Sequence, residues 1–164
     1  MSVARSENRP ERRRCNGSAP ATRLACRSSP AQEKEAVLDS RASNDVVRPV
    51  RMQLEAYNAR DIDAFMQWWA DDCKYYAFPS TLLADGKAEI RSRHVERFKE
   101  PNLFGKLQTR SVVGNMVVDH ETVTRTFPEG TGDVDVICIY EIEGGKITKA
   151  WFKLGEPRLH RPTR

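Results

Sequence analysis

Hydrophobic side chains in the first half of the chain recur at steps of three and four residues, the period of an amphipathic helix. One such stripe consists of Val47, Val50, Leu54 and Tyr57. It predicts a first helix over 46–58, with Pro49 in the first turn, where a missing N–H costs little. Asp61 has the character of an N-cap, so we expect it to open a short second helix over 62–70.

A strand and a third helix are predicted next. Residues 73–78 are rich in aromatic side chains, which favours a short strand that Pro79 ends. After a loop over 79–86, the third helix is expected over 87–99. One side of this helix carries Ile90, Arg91, His94, Val95 and Phe98. Arg91 on that side could bind a carboxylate or extend into solvent, and we place Glu89 and Arg93 as an ion pair on the opposite side.

Beyond Pro101 the apolar period changes from 3.6 to 2, which predicts strands. The predicted strands are 106–113, 116–127, 133–143 and 146–154. Gly114-Asn115 and Gly144-Gly145 are two-residue hairpin signals that join neighbouring strands in antiparallel fashion. The pattern therefore predicts an α+β fold in which the helices cover one face of an antiparallel sheet.

The net charge of +4 comes entirely from one end of the chain. Residues 1–36 contain eight basic and four acidic residues, while the remaining 128 residues are balanced. That segment has almost no large apolar side chains, so we expect it to be disordered. We divide the chain into a disordered basic segment over 1–43, a folded domain over 44–156 and a flexible tail over 157–164.

Composition limits the partners that this chain is expected to have. The balanced charge of the predicted domain gives no electrostatic reason to expect nucleic acid, although the basic run at 11–14 could touch it. No stretch of 18 apolar residues exists, so we expect no membrane partner. The four cysteines have no metal-binding spacing and no disulfide framework, which favours a cytoplasmic location.

Several short motifs carry a resemblance to a known group of proteins. They are Ala56–Phe65, Trp69–Asp72, Gly86-Lys87, Ile90-Arg91, Val117–Glu121, Ile139–Ile142 and Gly145–Phe152. In this order they resemble the nuclear transport factor 2-like superfamily, and in particular bacterial SnoaL-like proteins labelled steroid delta-isomerase-like. The resemblance covers about residues 46–155 and is more specific for fold than for chemistry.

The resemblance implies a cone-like curved antiparallel sheet with three N-terminal helices on its concave face. It also implies a pocket for a small apolar ligand, no cofactor, and a homodimer formed through the outer sheet face. The residues that we expect to bind the ligand are Gln53, Tyr57, Trp68, Tyr76, Phe78, His94, Phe98, Tyr140 and Trp151. Five of them are of a kind that belongs more often to the core than to a ligand wall: Trp68, Tyr76, Phe78, Tyr140 and Trp151.

The ketosteroid isomerase of this superfamily uses an Asp base together with a Tyr and a protonated Asp as hydrogen-bond donors. The resemblance places the Tyr on Gln53, the base on Phe78 and the protonated Asp on about Cys138. Phe78 cannot remove a proton, so the isomerase mechanism does not transfer unchanged.

Asp119-His120-Glu121 is the remaining candidate for acid–base chemistry. On a strand, Asp119 and Glu121 share one face and His120 takes the other. If Val118 points to the concave side, so does His120. We then expect His120 to shuttle a proton in the pocket, supported by Tyr57 or His94, and we count Asp119 as a second catalytic residue. The alternative is a structural histidine beside exposed acids. We expect no metal, since His94 and His120 lack a short ligand spacing.

Two functions remain open from the sequence. The first is a cofactor-free isomerase, cyclase or dehydratase that acts by proton transfer on an apolar, steroid- or polyketide-like metabolite. The second is a non-catalytic binding module on the same fold. A pocket lined only by apolar side chains would favour binding alone, whereas an inward His, Asp or Glu would favour catalysis.

Overall fold

The computed structural model of the protein describes the backbone of residues 30–160 and the side chains of residues 45–160. The described elements are α1 Pro30–Ala59, α2 Ile62–Met66, β1 Trp69–Ala77, β2 Thr81–Asp85, α3 Lys87–Arg97, β3 Phe104–Val113, β4 Met116–Phe127, β5 Gly130–Glu143, β6 Lys146–Leu154 and β7 Arg158–Leu159. The α+β fold predicted from the sequence is confirmed. Residues 1–29 and 161–164, in the two predicted flexible ends, lie outside the described residues.

The seven strands form one open sheet in the order β2-β1-β6-β5-β4-β3, with β7 added to β5. Every neighbouring pair is antiparallel except β1 and β6, which run parallel. Strand β1, the first strand along the chain, is therefore paired with β6, which lies about 75 residues later. This pairing brings the N-terminal and C-terminal parts of the domain into one sheet.

Helix α1 is longer than predicted, since it begins at Pro30 rather than at residue 46, and it includes residues 30–43 of the segment expected to be disordered. Good helix formers such as Ala, Glu and Lys fill the added turns, and Pro30 suits a first helical position. The expectation that Pro49 lies in the first turn is wrong, because Pro49 is inside the helix and fully buried. The predicted apolar stripe is present, with Val50 and Leu54 buried against the sheet.

The second helix is shorter than predicted and ends at Met66. Its N-cap is Asp61, as predicted, and the Asp61 carboxylate accepts hydrogen bonds from the backbone N–H groups of Asp63 and Ala64. Trp69 and Ala70 belong to β1 instead, because the chain turns into the sheet directly after this helix. The predicted loop over 79–86 contains β2, which pairs with β1.

The long strands agree well with the alternating pattern, and β4 and β6 have the predicted bounds. Gly144 and Gly145 both have positive φ, which is the backbone that a tight hairpin turn requires. The core lies between the helices and the inner face of the sheet, where Phe65, Trp69, Ile90 and Val117 are almost completely buried. No helix of the described chain is both long enough and apolar enough to cross a membrane.

Candidate functional site

A pocket of about 150 Å³ opens between the three helices and the inner face of the sheet. Its walls are mainly apolar, with a small set of polar and charged groups. The polar and charged groups in the lining are Gln53, Tyr57, Tyr75, Arg93, His94, Arg97, Glu121, Arg125, Cys138 and Tyr140. A concave apolar site with a few polar groups that point inward is the usual form of a small-molecule site.

Glu121 is the acidic residue of this lining. Its side chain is almost fully buried, and its Oε1 has no hydrogen-bond partner among the described residues. Burial and, to a smaller extent, the nearby Asp119 charge raise the pKa of Glu121 to about 7, while Arg110 and the Cys138 thiol oppose the shift. At neutral pH this carboxyl group can therefore both accept and release a proton.

Asp119 lies two residues earlier on the same face of β4 and is completely buried. Arg110 of the neighbouring strand binds it with two hydrogen bonds, Nε to Oδ1 at 2.7 Å and Nη2 to Oδ2 at 2.6 Å. The pair does not line the pocket. Asp119 was predicted to be catalytic, but this bidentate contact occupies both of its oxygens, so it can act on the site only through its charge and its support of β4.

Gln53 and Tyr140 form a polar pair on the pocket wall. The Gln53 amide donates to the Tyr140 hydroxyl oxygen at 3.2 Å, and both side chains are buried. Burial raises the pKa of Tyr140 well above its usual value, so this hydroxyl keeps its proton. The Gln53 contact uses the hydroxyl oxygen as an acceptor, which leaves its O–H able to donate to a ligand.

His94 also lines the pocket, as predicted, and it is neutral. Burial lowers its pKa to about 4, and the neighbouring Arg97 and Arg93 charges lower it as well. Its Nδ1–H donates to the Ile90 carbonyl at 2.8 Å, so Nε2 carries no proton. The ring packs against Phe65 with centroids 4.4 Å apart.

Four of the predicted ligand-binding residues are part of the pocket: Gln53, Tyr57, His94 and Tyr140. Phe98 lies just behind the wall, where its ring packs edge-on against those of Tyr57 and Phe65. Phe78 is 51% exposed and does not line the pocket, where it was expected.

The prediction that His120 faces the pocket is wrong. Glu121, Val123 and Arg125 line the pocket from β4, so His120 lies on the outer face of the sheet, opposite Ile137 in the next strand. The expectation depended on Val118 pointing inward. Val117 is buried in that position instead, because the inner face carries the odd-numbered residues of β4.

Three predicted aromatic residues lie outside the pocket, while their neighbours line it. Tyr76 and Trp151 stack on each other at 5.6 Å, but the pocket is lined by the neighbouring stacked pair Tyr75 and Phe152, at 4.3 Å. Trp69 lines the pocket in place of its predicted neighbour Trp68. The Trp68 ring instead contacts two cationic side chains, Arg48 at 5.6 Å and Lys146 at 5.8 Å from the ring centroid.

Two arginines on α3 make contacts that differ from those predicted. Arg91, considered as a carboxylate ligand, pairs with Asp63 at 2.8 Å on the surface. Arg93 does not pair with Glu89 but lies over the Tyr75 ring at 5.7 Å, where it lines the pocket. Among the residues with described side chains, no cluster of three or more His, Cys, Asp or Glu could hold a metal ion.

Fold and pocket together define a class of protein: an open curved sheet with helices on its concave face that enclose a small-molecule site. Residues 50–150 match the model of the SnoaL-like domain, so the chain belongs to the SnoaL-like family. The resemblance on which the fold prediction relied is confirmed.

Solved structures agree with this assignment. An uncharacterized cystatin-fold protein from Novosphingobium aromaticivorans has 25% sequence identity and a TM-score of 0.61, with 66% of this chain and 97% of that chain covered. A candidate polyketide cyclase from Sinorhizobium meliloti has 20% identity and a TM-score of 0.57 (65% and 94% covered). An epoxide hydrolase of the LEH-like type from M. tuberculosis has 18% identity and a TM-score of 0.59 (68% and 84% covered). No curated protein matches the sequence.

Proposed function

We propose that this protein is a cofactor-free enzyme that moves a proton on a small apolar carbonyl compound, with Glu121 as the general base. The observation that carries this proposal is the buried carboxyl group of Glu121, which lines an apolar pocket and has a pKa near 7. A base is most effective when its pKa lies near the working pH. An inward carboxyl group also favours catalysis over the alternative of a non-catalytic binding module.

The reaction follows from the groups around the pocket. The Glu121 carboxylate removes a proton from the carbon beside a carbonyl group. The electron pair of the broken C–H bond forms a C=C bond, and the π electron pair of the carbonyl group moves onto its oxygen to give an enolate. Tyr140, which keeps its proton, donates a hydrogen bond to that oxygen, while Gln53 orients the Tyr140 hydroxyl. In an isomerisation, Glu121 returns the proton to the far carbon of a C=C bond conjugated with the enolate, and that double bond shifts. In a cyclisation, the enolate carbon attacks a second carbonyl group of the same molecule, and the oxygen of that group takes the proton from Glu121.

Family and neighbours are consistent with this chemistry without deciding the substrate. One neighbour is described as a candidate polyketide cyclase and another as having a ketosteroid isomerase-like fold. The proposal differs from the ketosteroid isomerase arrangement, since the base comes from β4 rather than from the end of the first strand, where Phe78 stands.

Deuterium uptake tests the proposal without a known substrate. A panel of small aryl and alicyclic ketones is incubated with the protein in D₂O, and deuterium incorporation beside the carbonyl is measured by mass spectrometry. We expect the wild-type protein to accelerate exchange for some members and Glu121→Gln to lose at least about 100-fold of that rate, the usual contribution of a general base.

His120→Gln is the matched control, because His120 is next in sequence but lies on the other sheet face. It should keep the wild-type exchange rate. Exchange that is equally fast in Glu121→Gln would remove the proposed role of Glu121. A wild-type protein that binds members of the panel yet exchanges none of them would favour the binding module.

A further inference from the structure

Three arginines line the pocket: Arg93 and Arg97 from α3 and Arg125 from β4. Within the described lining, Glu121 is the only acid that can balance their charge. It is partly protonated at neutral pH because its pKa is about 7. The pocket thus has an excess of positive charge although the rest of its wall is mainly apolar. A low-dielectric wall strengthens the attraction of such charges for an anion.

The countercharge nearest to these arginines is shared between two of them. Arg97 Nη1 lies 3.2 Å from Oε1 of Glu100, and Arg125 Nη2 lies 3.9 Å from the same oxygen. The other Glu100 oxygen accepts a hydrogen bond from the backbone N–H of Thr126 at 2.9 Å. One carboxylate therefore pairs with two guanidinium groups and a backbone donor, so N–H groups of both arginines are available to a further acceptor.

Of these arginines, Arg125 has a buried hydrogen-bond donor, its Nε, that lacks an acceptor among the described residues. Its guanidinium group lies over the Phe127 ring at 5.3 Å, so one face of the plane is covered by an aromatic side chain. A buried donor without an acceptor is costly, and a planar guanidinium group is suited to bind a carboxylate through two parallel hydrogen bonds.

The positions of Arg125 and Glu121 set the length of a molecule that could reach both. They are four residues apart on the same face of β4, which corresponds to about 13 Å along the strand. Between them lies an apolar wall that includes Val123, Val134 and Val136. The pocket volume of about 150 Å³ is that of a cavity able to hold one aromatic ring.

We propose that the ligand of this pocket is a small carboxylic acid with a single ring-sized apolar body, and that Arg97 and Arg125 bind its carboxylate. The body occupies the apolar wall, and the end remote from the carboxylate reaches Glu121. That the end of the ligand near Glu121 is the one that reacts rests on the proposed function. The binding of the carboxylate by the arginines does not.

Binding of two matched pairs of probes tests this inference by isothermal titration calorimetry at low ionic strength and about pH 8. The pairs are 4-phenylbutanoate with 4-phenylbutanamide, and 3-phenylpropanoate with 3-phenylpropanamide. Each pair has nearly the same shape and differs in charge. We expect the wild-type protein to bind at least one acid roughly tenfold or more tightly than its amide, and added salt to weaken binding of the acid but not of the amide.

Arg97→Gln and Arg125→Gln should each lose most of the preference for the acid while still binding the amide. Arg51→Gln is the control, since Arg51 is exposed, pairs with Glu55 and does not line the pocket. Equal affinity for acid and amide in the wild-type protein, no binding of any probe, or an acid preference that survives in both pocket variants would overturn the inference. If a variant does not fold, the salt dependence of the wild-type protein decides.

Glu121→Gln separates this inference from the proposed function. It should keep the preference for the acid, because the carboxylate binds at the arginines, while losing deuterium exchange. A variant that retains exchange would refute the role of Glu121 and leave the carboxylate site intact. Conversely, loss of exchange together with equal binding of acid and amide would refute the carboxylate site alone.

Discussion

The carboxyl group of Glu121 lies in an apolar pocket, and among the described residues no direct ion pair balances its charge. In the unfolded chain its pKa has the ordinary value of 4.5, and burial in the folded chain raises it to about 7. The folded state therefore binds this proton more tightly. The stabilisation that the proton provides is fully present below about pH 4.5 and is lost as the pH rises through 7.

This difference predicts that Glu121→Gln is more stable than the wild-type protein in alkaline solution. The two pKa values differ by about 2.5, which corresponds to about 3 kcal/mol of unfolding free energy above pH 7 and to almost none near pH 4.5. Urea unfolding at about pH 8.5 and about pH 4.5 measures the effect. Glu143→Gln, at an exposed end of β5, should be neutral at both values, and equal stability of wild type and Glu121→Gln at the higher pH would contradict the prediction.

Most of the residues that were wrongly expected in the pocket are direct sequence neighbours of residues that line it. Trp68, Tyr76, His120 and Trp151 were expected in the pocket, and their neighbours Trp69, Tyr75, Glu121 and Phe152 line it. Side chains on a strand alternate between faces, so the choice of face decides every contact at once. Apolar and aromatic residues occur on both faces of this sheet, and the sequence pattern therefore identified the strands without identifying their inner face.

At the scale of whole elements the prediction was more successful, because long periodic segments specify their own structure. The strands β3 to β6 and the turns at Gly114 and Gly144 were found, as was the cap at Asp61. The omission of β2 has a local cause: Leu82 and Leu83 are exposed, so this short edge strand has no alternating pattern. The parallel pairing of β1 with β6 is a tertiary contact and leaves no local pattern.

Helix α2 depends strongly on its cap, since it has only five residues. Asp61 satisfies two of its N-terminal N–H groups, at 3.1 and 2.9 Å, and the helix carries Phe65 into the pocket wall. We expect Asp61→Ala to lower the unfolding free energy by about 1 kcal/mol, the typical effect of losing such a cap. Thermal unfolding measures this, with the exposed Asp72→Ala as the control; equal losses in both variants would contradict the role of the cap.

For the molecule as a whole, the homodimer through the outer sheet face stays a prediction, and so do the cytoplasmic location and the division into domains. Ile137 on the outer face is 38% exposed and lies opposite His120 in β4. We expect Ile137→Glu to dissociate the dimer, because the new charge would be buried in the interface without a partner. Sedimentation velocity measures the mass, and Val95→Glu on α3 is the control, since Val95 has similar exposure but lies on a helix. A wild-type protein that sediments as a monomer would refute the dimer.

The parallel pairing of β1 with β6 has a consequence for how the chain acquires its structure during synthesis. Residues that wall the pocket come from α1 and β1 near one end and from Phe152 and Leu154 near the other. While a ribosome is still making β5, β1 can pair with β2 but not with its central partner in the sheet. Until β6 emerges, the edge of β1 that will face β6 therefore has no partner strand. Contacts this distant in sequence make folding slow, and during this interval the open edge of β1 can pair with other chains and aggregate.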